Sequence, residues 1–480
     1  LNTKLVSSLD GIGGVLYFYP TSTADDVISI FKGIDPASVT KLAKVVASAA
    51  WNDNQTDTGF TLVPPGLPWL EAFFLKVNGF GCPIVLFLIF STCALWSLVL
   101  LNLHKLAKRR MGRIASYLAP LLLCLSGVFQ GYILKAGMVM SEPLSLALLS
   151  LSILLMVRSV VDRRLSMGVL SGCMLALAAY VRAQTEIIAV ALTVIVGIAI
   201  SLQLVVFFFS ARRAPSPGPE PLRQKLVKLV DKNFVATSVL ICVATFNCLT
   251  VPFRLWKLNH PGIHSASWLQ ADYIWRYYWK NDPVFLASRW GNCWAKMGGT
   301  VPAMVDPELA TRISETVKLH GEGALPNSFY KWRTITTFLR HPIQWIVLKA
   351  RVWPDFWFEP NFCRLLSNRP LVLCTFEDVL YLALVFFAAA RFVVTPCIRR
   401  TVFGDDGAYF FFYSSLLAVE ATLFIFSHFE ERYCYTIKLA TLVMVLAYSF
   451  DRIQWKSIGE KPKFSDVEPP IRQTLDAAST

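Results

Sequence analysis

Charge is scarce in this 480-residue sequence, at 16% Lys, Arg, Asp and Glu, where a soluble domain carries about 25%. The deficit is concentrated in long apolar blocks, which a soluble core does not need. No Cys-x-x-Cys pair occurs among the 11 cysteines, so the usual cysteine-based metal site has no support. No glycine-rich phosphate loop is present. No internal repeat stands out, which weighs against the inverted-repeat transporters. No signal peptide or complete first span is visible at the start.

What is present is apolar: 55% hydrophobic residues and a mean hydropathy of +0.50. A stretch of about 20 apolar residues crosses a hydrocarbon core of about 30 Å, and within lipid such stretches must be helical to satisfy their own backbone groups. Candidate spans are Pro83–Leu103, Ala115–Lys135, Glu142–Val157, Met167–Val181, Ile187–Phe209, Phe234–Val251, Leu371–Val394, Tyr409–Ser427 and Cys434–Phe450. The expected fold class is therefore an all-α polytopic membrane protein. Its predicted organisation is an outer-face loop over 1–82, six spans over 83–252, an aromatic-rich outer segment with interfacial helices over 253–370, three spans over 371–450 and a polar tail over 451–480. A seven-residue stretch, Pro354–Pro360, reads as an interfacial segment lying along the bilayer.

Alternate loops are basic. Lys105, Lys108, Arg109, Arg110 and Arg113 follow the first span; Arg158, Arg163 and Arg164 follow the third. Arg212, Arg213, Arg223, Lys225, Lys228 and Lys232 follow the fifth, and Arg391, Arg399 and Arg400 lie at the end of the seventh. Short basic loops stay cytoplasmic, so the N-terminal segment and the segment 253–370 are expected outside and the C-terminus inside. The net charge of +14 follows from this topology, and a nucleic-acid partner is not needed to explain it. Parity leads us to expect a further helix upstream, or one cut short near Gly11–Tyr19. The expected location is an inner membrane if the source is bacterial and the endoplasmic reticulum if it is eukaryotic.

Cys93, Cys124, Cys173, Cys242 and Cys248 lie within spans, where cysteine acts as a small apolar residue. Cys293 and Cys363 share the outer segment and are a candidate disulfide pair in an oxidising compartment. Asn54-Gln55-Thr56 is a glycosylation acceptor sequence in a eukaryotic host. The stretch Ala214–Pro221 reads as a flexible linker.

Ionisable groups at the outer ends of spans carry the functional signal, because charge at membrane depth is costly and usually functional. Asp35, followed by Pro36, starts a helix and reads either as an N-cap or as an acid facing the mouth. Glu142 opens a span, where an acid favours the helix dipole. Arg182 and Glu186 lie four apart where one span ends and the next begins, the spacing of a local ion pair. Ser427-His428-Phe-Glu430-Glu431-Arg432-Tyr433 packs several polar groups into one short turn, and Arg432 has the geometry to hold a phosphate. Arg182 and Arg432 with Asp35, Glu142 and Glu431 form a set suited to a lipid phosphate and a reaction that needs a base. The outer segment's many tryptophans serve either to anchor the protein at the interface or to stack on sugar rings.

The order of these motifs resembles the membrane glycosyltransferases of the GT-C fold, in the branch of protein O-mannosyltransferases and lipid A aminoarabinose transferases. Asp35, Val39 and Ala43 stand at the positions of a first-loop Asp-x-x-x-Tyr-x-x-x-Ala, with valine replacing the tyrosine. Pro64-Pro65-Gly66-Leu67-Pro68, Ser141-Glu142, the span from Gly172 to Arg182, Pro252-Phe253 to Asn259, Arg340-His341-Pro342 and His428 to Tyr433 follow in the family's order. The resemblance implies inverting transfer of a sugar from a polyprenyl-phosphate donor to an acceptor hydroxyl at the outer face. It implies that Asp35 is the base, with Asp25 and Asp26 as the alternative acids. It implies that Arg432, Arg182 and His428 hold the donor phosphate, with Glu142 and Glu431 as supporting acids. The expected partners are membrane lipid, the lipid-linked donor and a glycan, lipid or protein acceptor. No tightly bound cofactor is expected, and the need for a divalent metal is open. Two other functions compete: a transporter or flippase of lipid-linked sugars, which predicts mid-span charge, and an inactive scaffold of the same fold. Mid-span charge reads as sparse, with Glu420 the main exception.

Overall fold

Helices account for almost everything described, because the long apolar blocks have no other way to pair their backbone groups in lipid. A computed structural model describes residues 84–109, 115–130, 141–211, 233–259, 305–320, 327–358, 370–399, 404, 406–426 and 431–452. Among these residues there is no β-strand. In chain order the α-helices are α1 (Ile84–Ala107), α2 (Leu118–Leu125), α3 (Ser141–Val161), α4 (Leu165–Val181), α5 (Ala183–Ala211) and α6 (Phe234–Asn259). They continue with α7 (Pro307–His320), α8 (Asn327–Arg340), α9 (Pro342–Trp357), α10 (Leu371–Ala388), α11 (Thr395–Arg399), α12 (Gly407–Phe426) and α13 (Glu431–Arg452). A 3₁₀ turn, Ala115–Tyr117, precedes α2, and a π-helical segment, Ala389–Val394, joins α10 to α11.

Seven helical stretches are long and apolar enough to cross a membrane among the described residues: α1, α3, α5, α6, the continuous α10–α11 rod, α12 and α13. The chain is a multi-pass membrane protein of all-α class. Two of the nine expected spans fall short. α4 has 17 residues, about 25 Å at 1.5 Å per residue. The span expected over Ala115–Lys135 is not one continuous helix. It breaks at Ser126, which adopts φ −65° and ψ 137°. The Ser126 hydroxyl accepts the Phe129 N–H at 3.2 Å, and the Gly127 N–H donates to the Glu377 carboxylate of α10. Broken backbone at membrane depth survives only where protein groups satisfy it, and here α10 supplies one. α3 is longer than the Glu142–Val157 block that the sequence suggested.

α3 and α13 are the inner helices, with nearly every side chain from Pro143 to Val157 and from Cys434 to Leu446 buried. α4 packs between α3 and α6, while α5 packs on α12 and α10 on α13. Small polar residues allow these close approaches, as is usual between membrane helices. Ser152 and Ser171 exchange reciprocal bonds to each other's carbonyls at 2.9 and 2.8 Å. Gly168 and Gly172 turn toward α6, where a Cβ on Gly172 would lie 2.5 Å from the Cys242 carbonyl oxygen. The outward faces stay apolar. Val190, Val194, Ile198 and Leu202 are exposed along α5, as are Val372, Phe376, Phe386 and Phe387 along α10. Such stripes face lipid in a spanning helix.

One end of the bundle collects the basic loops. Arg109 pairs with Asp162, and Arg158 donates to Asn102 at 2.7 Å and reaches Asp162 at 3.3 Å. α3 ends in a Schellman turn: Arg164 N–H donates to the Ser159 carbonyl at 3.0 Å and Arg163 N–H to Val160 at 3.4 Å. The left-handed residue of that turn is Arg163, at φ 50°, where glycine is the usual occupant. In the π segment Arg391 donates to the Tyr448 hydroxyl at 2.5 Å and reaches Asp406 at 3.2 Å.

Candidate functional site at the polar mouth

The opposite end is where α4 hands over to α5, and one residue makes the joint. Arg182 is extended, at φ −148° and ψ 128°. Its N–H donates to the Ala178 carbonyl at 3.0 Å, and its own carbonyl accepts the Thr185 N–H at 3.1 Å. A helix ends and another begins without a loop, so the half-buried Arg182 side chain is held at the rim.

Below it lies a hydrogen-bonded chain. Arg182 Nε donates to Gln184 Oε1 at 3.3 Å, and Thr436 Oγ1 of α13 donates to the same oxygen at 3.2 Å. The Gln184 amide nitrogen donates to Glu420 Oε1 of α12 at 3.2 Å. Gln184 is buried, so one amide links a cation on the rim to a carboxylate six residues short of the end of α12, about 9 Å along that helix. Beside it, Ser145 Oγ lies 2.7 Å from Thr185 Oγ1 and donates to the Ala178 carbonyl at 3.2 Å. Because Ser145 has one proton, Thr185 is the donor in their mutual bond.

A second cation stands on α6. Arg254 Nη1 donates to Asn247 Oδ1 at 2.8 Å, and Nε lies 3.7 Å from the Glu186 carboxylate. Its guanidinium covers the Phe246 ring at 5.0 Å. Nη2 is buried with no hydrogen-bond partner among the described residues. Glu186 thus pairs with Arg254 across two helices, where the sequence spacing suggested Arg182. Arg254 escaped the sequence reading, although it directly follows the Pro252-Phe253 pair. Tyr180 donates to the Leu249 carbonyl at 2.8 Å and joins α4 to α6 at the same level.

Of the sequence-predicted residues, Arg182 sits in this mouth. Glu142 lies in the first turn of α3, whose start is fixed by Trp96 Nε1 donating to the Pro143 carbonyl at 3.2 Å. Glu431 opens α13 and Arg432 follows it; their side chains, like that of Glu142, lie outside the described residues. So do Asp35, Asp25, Asp26 and His428, the Cys293–Cys363 pair, the Asn54 sequon and the Ala214–Pro221 linker. Cys93, Cys124, Cys173, Cys242 and Cys248 are free thiols on the bundle helices. Among the described residues no group of three or more His, Cys, Asp or Glu could hold a metal ion.

A buried ion pair joins Glu420 as charge within the spans. Lys438 of α13 and Asp378 of α10 pair at 2.7 Å, both buried. Lys438 also donates to the Trp357 carbonyl at 2.8 Å, and Trp357 Nε1 donates to the Asp378 carbonyl at 3.0 Å. The rings of Trp357, Tyr435 and Tyr381 surround the ammonium at 4.8, 5.8 and 6.0 Å. This pair fastens the end of α9 to the bundle. Trp357 therefore ends a helix, whose last turn begins the Pro354–Pro360 segment that the sequence suggested lies along the bilayer.

No protein-family profile matches the chain, and no curated protein does. Among solved structures, the chain is similar to ArnT from Cupriavidus metallidurans bound to undecaprenyl phosphate. The identity is 13%, over 88% of this chain and 76% of that one, with a TM-score of 0.32. The apo crystal structure of the same ArnT gives 13% identity over 93% and 77%, with a TM-score of 0.29.

Proposed function

We propose that this protein is an integral membrane glycosyltransferase of GT-C type. It would move a sugar from a polyprenyl-phosphate donor to an acceptor hydroxyl at the membrane face away from the basic loops. The observation that carries this reading is the mouth itself. Two half-buried arginines, Arg182 and Arg254, stand where α4, α5 and α6 meet; Arg254 faces the Glu186 carboxylate, and Arg182 is linked to Glu420 through the Gln184 amide. Arg254 keeps one guanidinium nitrogen without a partner among the described residues. Arginines preset in a partly water-excluded site suit a phosphate whose charge grows as it leaves.

In this reading the acceptor oxygen attacks the anomeric carbon as the bond from that carbon to the carrier phosphate breaks, and the configuration inverts. Asp35 takes the acceptor proton, as the motif order implies. Arg182, Arg432 and His428 receive the phosphate, and Glu142 and Glu431 orient them. The lipid tail of the donor stays in the bilayer, so the sugar is delivered at the rim.

The test is transfer from synthetic polyprenyl-phosphate sugars by the full chain reconstituted in vesicles. Asp35→Asn is expected to lower turnover by about 10²–10⁴-fold, the range for a general base. Arg432→Ala and Arg182→Ala are expected to lower it with thermal unfolding unchanged. Wild-type inactivity with mannosyl, glucosyl, arabinosyl and aminoarabinosyl donors would count against the enzyme.

A flippase of lipid-linked sugars is the second reading, favoured by Glu420, Asp378 and Lys438 within spans. Lys438 and Asp378 bond each other, and Glu420 accepts from the Gln184 amide, as a fixed frame requires. The discriminating measurement is translocation of a fluorescent polyprenyl-phosphate sugar across vesicles without acceptor, which the enzyme does not perform.

A further inference from the structure

The helix pair α8–α9 buries Trp345 and Trp357, yet its polarity is mixed. Its buried side chains include Thr334, Thr337 and Lys349, at 1%, 3% and 3% exposure, while Trp332, Leu339 and Ile343 stand 65%, 67% and 78% exposed. Water sorts side chains the other way. The exposed apolar residues fall at 332, 339 and 343, and Ile346 and Val347 extend the stripe along α9. One apolar face therefore runs across the corner at His341.

The depth of this face is set by its contacts. Trp345 Nε1 donates to the Ile425 carbonyl at 2.6 Å, and Phe338 meets Phe426 edge-on at 5.3 Å. Ile425 and Phe426 are the last residues of the spanning helix α12. The corner of the hairpin is thus level with the end of a membrane span, where aromatic residues and amphipathic helices settle.

Charge selects the kind of surface. Residues 327–357 contain five Lys and Arg against one acid, Asp355. Arg333, Arg340 and Arg351 are exposed. Basic residues in long loops do not set topology, so this one-sided composition needs another cause.

We infer that the α8–α9 hairpin seats its Trp332–Leu339–Ile343 face in an anionic phospholipid leaflet, with Arg333, Arg340 and Arg351 on the lipid phosphates. The apolar side chains enter the acyl boundary, and the arginine stems reach back to the headgroups. A cation close to an anionic surface changes lipid occupancy by about fivefold. This inference is independent of the glycosyltransferase reading, because a transporter or a scaffold would need the same seat.

The experiment places a photoreactive benzoylphenylalanine at position 339 or, as a buried control, at 334 of the full chain. The protein is reconstituted in phosphatidylcholine alone or in an equimolar mixture with phosphatidylglycerol, then illuminated and weighed intact. Lipid adducts at 339 and not at 334 are expected, with phosphatidylglycerol enriched over its bulk share. The triple variant Arg333→Gln, Arg340→Gln, Arg351→Gln is expected to return the adducts to the bulk ratio, and the triple lysine variant to keep the enrichment. The inference is overturned by an absence of lipid adducts at 339, by cross-linked dimers there, or by equal ratios in wild type and the glutamine variant.

Discussion

The Lys438 ammonium lies 2.7 Å from Asp378 Oδ1 with both side chains buried in the bundle. The lysine also holds the Trp357 carbonyl, so one charge joins α13, α10 and the end of α9. Removing one partner of a buried pair leaves the other uncompensated and costs about 3–5 kcal/mol. Lys438→Met and Asp378→Leu are each expected to lower the thermal unfolding midpoint in detergent strongly. The double variant is expected to lose less than the sum, since neither charge is then left alone. Hydrogen exchange over 342–357 is expected to rise in Lys438→Met. Unchanged exchange there would separate the pair from the docking of α9.

Gln184 is the one described side chain that bonds Arg182, Thr436 and Glu420 together. Gln184→Leu keeps the volume and removes all three bonds. Leaving buried polar groups unsatisfied costs about 1–3 kcal/mol each, but the expected signature is functional. With its bond to Gln184 gone, Arg182 is placed less well, and sugar transfer should fall about 10-fold or more, as misplaced positioning groups cause. The donor KM should rise more than kcat falls. Gln184→Glu, which places a second carboxylate beside Glu420, is expected to be worse than Gln184→Leu in unfolding temperature.

The spanning helices were legible because lipid imposes a length and composition that few soluble helices share. The Arg182 joint was legible for the same reason, as an arginine between two apolar blocks. What escaped depends on partners distant in sequence. The break at Ser126 is held where the next residue, Gly127, donates its N–H to Glu377, 250 positions later. A single Lys438 in an apolar block reads as an interruption until Asp378, 60 positions away, is brought against it. Glu186 was assigned to the nearer arginine because helical spacing is visible in a sequence and the α5–α6 contact is not.

The turn after α3 offers a gain in stability. Arg163 occupies the left-handed position at φ 50°, which costs a non-glycine residue about 1 kcal/mol. Its guanidinium recovers part of this over the Phe234 ring at 5.8 Å, a contact worth about 0.5 kcal/mol when exposed. Arg163→Gly is expected to raise stability by about 0.5 kcal/mol, read as a small rise in unfolding midpoint. Arg163→Val is expected to lower it, because a β-branched side chain fits that conformation worst.

Three glycines in the bundle form an internal control on packing. A Cβ at Gly172 would lie 2.5 Å from the Cys242 carbonyl oxygen and 2.7 Å from Thr245 Cβ. Both belong to α6, and the carbonyl is backbone that cannot step aside. At Gly168 the nearest atom is the Ser238 carbonyl oxygen at 3.1 Å, and at Gly197 nothing lies within 4 Å. Gly172→Ala should therefore force α4 and α6 apart and cost about 1–3 kcal/mol, the range for overpacking. Gly168→Ala should cost less, because a few tenths of an ångström suffice. Gly197→Ala should stabilise α5 by up to about 1 kcal/mol through helix propensity alone. Unfolding midpoints in one detergent test the order Gly197→Ala above wild type, then Gly168→Ala, then Gly172→Ala. An equal effect at all three would mean that the α4–α6 contact does not set the stability of the bundle.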